Sequence, residues 1–308
     1  MYPYRRMIVG VNLNENDAAL IREAGMLSGI TESEKILYIH VLEGQEIPDK
    51  IKNQYPQLIS PFRELAEEKI KKAVIENSEK KSDYECRIKE GRPVKALLEE
   101  IRSYDADIVV IGRNYSSKRS NKKIAENIAR KAPCSVYVVP SEYASKEIKH
   151  IMVASDGSAH SKSALEEAVK LASALKLKSV SCLNVYHVPM GFHSTGKSYE
   201  EFAEIMHENA KIEFQEMIQD FSSSGIEIRP VYVLNDHIEK GILDSIEKEK
   251  ADMLIVGARG RSTGSSVLLG SVTEHLIGQV KIPLLAVKNK SAGIDFFDAL
   301  LNVLLKGD

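Results

Sequence analysis

The sequence predicts an α/β protein made of two tandem doubly wound parallel sheets of five strands each. Three observations carry that prediction. A chain of 308 residues exceeds what one core usually organises and suits two domains of about 150 residues each. Short apolar runs alternate with segments of helical period, the pattern of strands joined by crossover helices. The chain also repeats itself. Met7-Ile8-Val9-Gly10-Val11-Asn12 aligns with Ile151-Met152-Val153-Ala154-Ser155-Asp156, and Ile39-His40-Val41 with Leu183-Asn184-Val185. Further on, Asp107-Ile108-Val109-Val110-Ile111-Gly112 aligns with Asp252-Met253-Leu254-Ile255-Val256-Gly257, and Ser135-Val136-Tyr137-Val138-Val139 with Pro283-Leu284-Leu285-Ala286-Val287. The order is kept, and the offset grows by only about four residues in all.

In the second half the strands are predicted at His150 to Ser155, Val180 to Tyr186, Ile226 to Val233, Asp252 to Gly257 and Pro283 to Val287. Their near-continuous apolar character is that of strands buried on both faces, which favours a parallel sheet over a hairpin meander. Between the first two, Ala164, Leu165, Ala168, Leu171, Ala172 and Leu175 recur at helical spacing and give one apolar face to lay on the sheet. The polar stretch Pro140 to Glu147 follows a proline that cannot extend a strand, so the domains are placed at 1–142 and 147–290. Residues 291–308, with Phe296, Phe297, Leu300, Leu301 and Leu304 at helical spacing, form an amphipathic tail expected to pack on the chain or on a second copy.

Composition narrows the function classes. A formal net charge of −2 and a pI near 6.5 supply no broad positive field, so nucleic acid is not an expected partner. No apolar run reaches the length of a membrane span or a signal-peptide core, and a cytoplasmic protein is expected. Cys86, Cys134 and Cys182 stand apart in strand-like runs, which reads as buried reduced thiols. The histidines show no HExxH or H-x3-H spacing, so no protein-held metal is expected.

The residues that carry chemistry follow the fourth strand of the second half. Gly257-Ala258-Arg259-Gly260 is separated by nine residues from Gly270-Ser271, which opens a helix through Val272 and Thr273. A loop leaving the carboxyl end of a parallel strand lies where open α/β sheets bind ligands, and glycines there let backbone amides approach phosphate oxygens. The first amides of the following helix lack intrahelical partners and carry the positive end of its dipole. With them, the Ser271 and Thr273 hydroxyls could hold an anion.

This spacing, with Asp156-Gly157-Ser158 closing the first strand, resembles the ATP-binding class of universal stress proteins over nearly the whole chain. The resemblance implies an adenine-nucleotide α-hydrolase-like fold of strand order 3-2-1-4-5, in which the two domains pair as a dimer-like unit; a homodimer is compatible with it. It implies that Asp156 sits by the ribose and phosphates, that Val185 lines the adenine, and that Gly257, Gly260, Gly270, Ser271 and Val272 cradle the triphosphate. The expected ligand is ATP, or AMP or ADP, with Mg2+ reached through Asp156. Nucleotide would then order the loop from Gly257 to Gly270 and change the surface shown to protein partners, with hydrolysis slow at most. The first half departs from the pattern: Asn12 replaces the aspartate, Tyr115 the second glycine, and Lys122-Lys123 the Gly-Ser pair. Lys118 and Arg119 add charge nearby, as a solvated face or a site for a smaller anion.

Two motifs compete. Gly191 to Ser198 fits the Walker A pattern, in which Lys197 would meet the outer phosphates and Ser198 magnesium, although Pro189-Met190 parts it from the strand. A flexible segment over the pocket mouth is the other reading, with Lys197 as a secondary phosphate contact. Gly260 to Gly264 matches a hydrolase elbow, but Ser262 lies several residues beyond the strand. His160 and His275 are close enough in sequence to approach the ligand. The alternatives to a nucleotide-dependent module are thus a nucleotide-free tandem scaffold and a P-loop NTPase using Lys197.

Overall fold

The computed structural model describes residues 4–289 apart from 44–47, 59, 79–82, 114–119, 223 and 261–268, with backbone alone at 49, 52, 53, 56 and 120–123. The chain divides into two compact units that meet in sequence at Lys146 and Glu147. The tail from residue 290 onward, with its predicted amphipathic face, lies outside the described residues.

Unit 1 runs β1 (Arg6–Gly10), α1 (Asp17–Thr31), β2 (Lys35–Leu42), α2 (Asp49–Gln54), α3 (Ser60–Asn77), β3 (Tyr84–Glu90), α4 (Pro93–Ser103), β4 (Ile108–Arg113), α5 (Ser120–Lys131) and β5 (Ser135–Pro140). Unit 2 repeats the order with β6 (Ile151–Ala154), α6 (Ala159–Ala174), β7 (Ser179–Tyr186), α7 (Tyr199–Ile218), β8 (Glu227–Leu234), α8 (Ile238–Glu249), β9 (Met253–Gly257), α9 (Ser271–Gln279) and β10 (Leu284–Val287). Each unit has the strand order 3-2-1-4-5, and every pairing within it is parallel. The strands of unit 2 start or stop within a residue or two of the expected places.

Central strands are buried from both faces, as their unbroken apolar sequences require: Met7, Ile8 and Val9 in β1 and Ile151, Met152 and Val153 in β6 are fully inaccessible. Helix α6 begins at Ser158, whose hydroxyl accepts the Ser161 amide, and buries Ala164, Leu165, Ala168, Leu171 and Ala172. A fully buried leucine such as Leu165 contributes about 1.5–3 kcal/mol, so this stripe alone fixes the helix to the sheet. Leu175, predicted in the same stripe, is the C-terminal cap and only half-buried.

The repeat extends to the backbone. Glu32 and Lys176 both end a helix in the left-handed conformation, at φ 51° and 58°, and Asp105 and Lys250 do so at 50° and 53°. The entry to each first strand is held alike: Asp107 Oδ2 accepts the amides of Arg5 (3.1 Å) and Arg6 (2.9 Å), and Asp252 Oδ2 those of Lys149 (2.9 Å) and His150 (3.0 Å). Under α1, Glu23 is buried and accepts the Tyr137 and Ser145 hydroxyls, both at 2.7 Å.

Two measurements test these contacts. Replacing Asp252, which is 7% exposed, with alanine removes the acceptor of two part-buried amides and should cost about 1–2 kcal/mol, read from the denaturation midpoint. Burial pushes the Glu23 carboxyl above its ordinary value, against the pull of the Ser145 and Tyr137 hydroxyls. The folded state therefore holds that proton more tightly than the unfolded one. Stability from this group is complete below the ordinary value and is lost as pH rises through the raised one. Glu23→Gln, neutral throughout, should gain on the wild type as pH rises above the ordinary carboxyl value of 4.5; a pH-independent difference would contradict this.

Candidate functional site

In unit 2, β6 pairs with β7 on one side and β9 on the other, so successive connections leave it in opposite directions and open a crevice at the carboxyl ends. A cavity of about 410 Å³ occupies it, within the range of small-molecule sites. Asp156, Arg259, Gly260 and Gly270 to Thr273 line one end; Val185, Tyr186, Met206, Ile238 and Ile242 line the other. One end is therefore polar and carries a helix start, and the other is apolar.

The polar end begins where β6 stops. Ser155 donates its amide to Leu183 O (2.8 Å), and its carbonyl accepts the Asn184 side chain (3.1 Å), so the chain stays tied to β7 as it leaves the sheet. Gly157 then turns at φ +72°, and its amide reaches the Ser155 hydroxyl at 3.2 Å. Asp156 Oδ1 accepts the Ser158 amide at 3.0 Å, which fixes the carboxylate beside the start of α6. His160 follows. Burial, then the Arg259 cation, push its imidazole below the ordinary value despite Asp156, so it is neutral near pH 7.

The glycines of the β9–α9 connection serve three separate purposes. A Cβ on Gly257 would lie 2.7 Å from the carbonyl carbon and oxygen of His160, so this position is glycine because α6 passes there. On Gly260 it would lie 2.7 Å from Asp156 Oδ2. On Gly270 it would meet nothing of the chain nearer than 3.6 Å, an ordinary contact. Packing within the chain therefore does not demand that glycine. Gly270 caps α9 without a side chain, and its own amide is spent on Ala258 O (2.7 Å). The amides presented at the helix start are thus those that follow it, in Ser271 and Val272.

Thr273 lines the cavity, and its buried hydroxyl donates to Gly257 O at 2.9 Å, clamping α9 to the end of β9. Ser271, by contrast, is exposed. Residues 261–268, including Ser262 of the hydrolase-like match, lie outside the described residues.

At the apolar end, Val185 sits one residue before the end of β7 and packs against α8, where a Cβ on Gly241 would lie 2.8 Å from Val185 Cγ1. Helix α7 contributes Met206, Asn209, Ala210 and Glu213, which sequence reasoning missed. Their spacing is legible as one helix face, but nothing in it says that the face crosses the crevice. Behind it, His207 Nδ1 and the Tyr186 hydroxyl are 2.9 Å apart, and the His207 ring packs on Tyr232 with centroids 5.1 Å apart.

The Walker-like segment has another structure. Met190–Thr195 form a 3-10 turn closed by Gly196 in the left-handed region. Ser198 then caps α7: its hydroxyl accepts the Glu201 amide at 3.2 Å, and its amide donates to Glu201 Oε2 at 2.8 Å. That is a capping box, in which the hydroxyl is already engaged. Lys197 is exposed and does not line the cavity.

The universal stress protein family profile matches residues 3–140 and again 147–288. The chain belongs to the universal stress protein family. Universal stress protein MJ0577 of Methanocaldococcus jannaschii is 27% identical over 130 residues, covering 41% of this chain and 80% of that protein. MJ0531 of the same organism is 28% identical over 141 residues, covering 46% and 82%. Among solved structures, a universal stress protein from Archaeoglobus fulgidus aligns with TM-score 0.65 at 17% identity, covering 92% of this chain and 98% of its own. That likeness speaks to the fold alone.

Within this universal stress protein the other sequence candidates fall as follows. Asn12 and Gly112 line a cavity in unit 1, whereas Tyr115, Lys118 and Arg119 lie outside the described residues. Lys122 and Lys123 fall in the first turn of α5. His275 is exposed and pairs with Gln279 (2.8 Å). No group of three His, Cys, Asp or Glu among the described residues could hold a metal. Cys134 and Cys182 are buried, but Cys86 is only half-buried because β3 is an edge strand; all three are free thiols. Burial raises Cys182 to about 12 and Cys86 to about 11, so both remain protonated at neutral pH. No helix among the described residues is long and apolar enough to cross a membrane.

The glycine geometry separates two mutants of similar chemistry. Gly257→Ala must displace the His160 backbone and should cost about 1–3 kcal/mol. Gly270→Ala should change the unfolding midpoint by no more than about 0.5 kcal/mol. Equal destabilisation by the two would contradict the assignment of their roles.

Proposed function

We propose that unit 2 binds ATP or another adenine nucleotide in this cavity, and that the chain works in the cytoplasm as a nucleotide-dependent regulatory module. The observation that carries the reading is the start of α9: a helix opens onto the cavity through Gly270, whose missing Cβ no neighbour requires. The exposed amide and hydroxyl of Ser271 and the amide of Val272 suit a phosphate, with Arg259 adding positive charge. Val185, Ile238 and Ile242 suit a flat base at the other end. Asp156 fits the one carboxylate through which magnesium is commonly held together with substrate phosphates.

Turnover is slow on this reading. Asp156 Oδ1 is held by the Ser158 amide, His160 does not line the cavity, and Glu213 and His187 line the end assigned to the base, so none of these is placed as a general base for water beside the phosphates. Binding instead joins the β6 and β9 loops to the inner face of α7. A ligand that prefers one arrangement of these parts shifts the surface offered to partners.

Equilibrium binding of ATP to three proteins tests the reading. The wild type should bind, Lys197→Ala should bind equally, and Gly270→Lys should lose at least about tenfold in affinity by filling the anion position. Loss confined to Lys197→Ala would restore the Walker reading, and no binding by the wild type would favour a nucleotide-free scaffold. Mass spectrometry of nucleotide released from the purified chain names the species carried.

A further inference from the structure

Helix α7 carries apolar residues on two sides. Toward the sheet it buries Ala210, Phe214 and Met217. Away from the sheet, Phe202, Ile205, Asn209, Ile212 and Glu216 recur at alternating steps of three and four residues, the seam by which one helix packs along another. This second stripe is open to solvent: Ile205 is 42% exposed and Ile212 57%. The 3-10 turn before the helix extends it. There Phe192 meets Tyr199 edge-on, with ring centroids 5.8 Å apart, and Phe202 at 6.3 Å, while Met190 is 95% exposed. Aromatic and methionine side chains gathered on a surface in this way mark an interface.

The charge around the stripe says what fits it. Helix α7 holds six glutamates and one lysine, and that lysine, Lys211, pairs with Glu208 at 2.6 Å. Its counterpart in unit 1, α3, is balanced, with four glutamates against three lysines and one arginine; there Arg63 pairs with Glu90 and Lys71 with Glu67. The acidity therefore belongs to α7 and is not a requirement of the crossover at this place in the fold. Glu201 and Glu208 flank the stripe on one side and Glu213 on the other, so a second copy laid along it would set like charges against each other. We propose that this face of α7 is a docking site for a basic amphipathic helix of another protein. The apolar side of that helix lies on Phe202, Ile205 and Ile212, and its lysines or arginines meet the flanking glutamates. Docking needs no ligand in the unit 2 cavity and is tested without one.

The probe is a fluorescent synthetic helical peptide with leucine at the seam positions and lysine elsewhere; a second peptide has glutamate for every lysine. At about 0.15 M salt the lysine peptide should bind the full chain with a Kd of roughly 10 μM or tighter, and the glutamate peptide at least about tenfold more weakly. Ile205→Ser, at an exposed position that the fold tolerates, should weaken the lysine peptide about tenfold. Glu208→Lys combined with Glu216→Lys should also weaken it and strengthen the glutamate peptide. Equal binding of the two peptides, no binding up to about 100 μM, or a lysine peptide indifferent to Ile205→Ser overturns the proposal. So does a wild-type dimer in sedimentation that Ile205→Ser dissociates, which assigns the face to a second copy. Attachment to phosphatidylcholine vesicles that the same variant abolishes overturns it in favour of lipid.

Discussion

Each unit depends on how its first strand is held. In unit 2 the Asp252 carboxylate takes the two amides that precede β6, and the strand then runs only from Ile151 to Ala154 before the chain must turn. Flanked by β7 and β9, it fixes where the crevice opens. The polar parts of the site are then tied back to that frame by single bonds: Asn184 to Ser155 O, Thr273 to Gly257 O, and the Gly270 amide to Ala258 O. None of these needs a ligand to form. The described polar parts of the cavity are therefore held in place by the chain's own bonds.

The two units keep this frame and differ in what fills it. Asp107 repeats Asp252, and His40 bonds Val11 O as Asn184 bonds Ser155 O. Yet the turn after the first strand is stabilised by opposite arrangements of charge. Unit 2 satisfies it with the Ser155 hydroxyl and with Asp156 beside the cavity; unit 1 satisfies it from behind with the buried Asp17. A carboxylate that serves the turn from behind frees the cavity-facing position to be neutral. The same backbone can thus carry two electrostatic characters.

Much of the fold was legible in the sequence because its signals are local. Strand runs such as Ile151 to Ala154 are apolar throughout, and the stripe from Ala164 to Ala172 has the period of one buried helix face. The strand order came from the family resemblance, since periodicity does not say which strands are neighbours. The site was half legible. Gly270 and Asp156 stand out by spacing, but Met206 and Glu213 reach the cavity only because α7 crosses it, a tertiary fact. The bond from the Thr273 hydroxyl was illegible for the same reason, since its partner, Gly257 O, is sixteen residues away. The Walker-like run shows the converse. A capping box and a phosphate loop both call for a serine before a helix, and only the Glu201 contact separates them.

The glycines show why a motif cannot be transferred between repeats by residue identity alone. Gly257 and Gly112 align, the first ending β9 and the second one residue before the end of β4. In unit 2 the start of α6 comes so near that a Cβ would strike the His160 backbone, so that glycine would be retained with or without a ligand. In unit 1 a Cβ on Gly112 would meet only the tip of Leu20, at 3.9 Å, so packing does not demand it. Gly112 instead borders the cavity. The residue that looks like a remnant of the phosphate motif is thus less constrained by its described neighbours than its counterpart in the intact motif. Among the glycines that line the unit 2 cavity, Gly270 alone has that character, since a Cβ on Gly257 or on Gly260 would lie 2.7 Å from another atom of the chain.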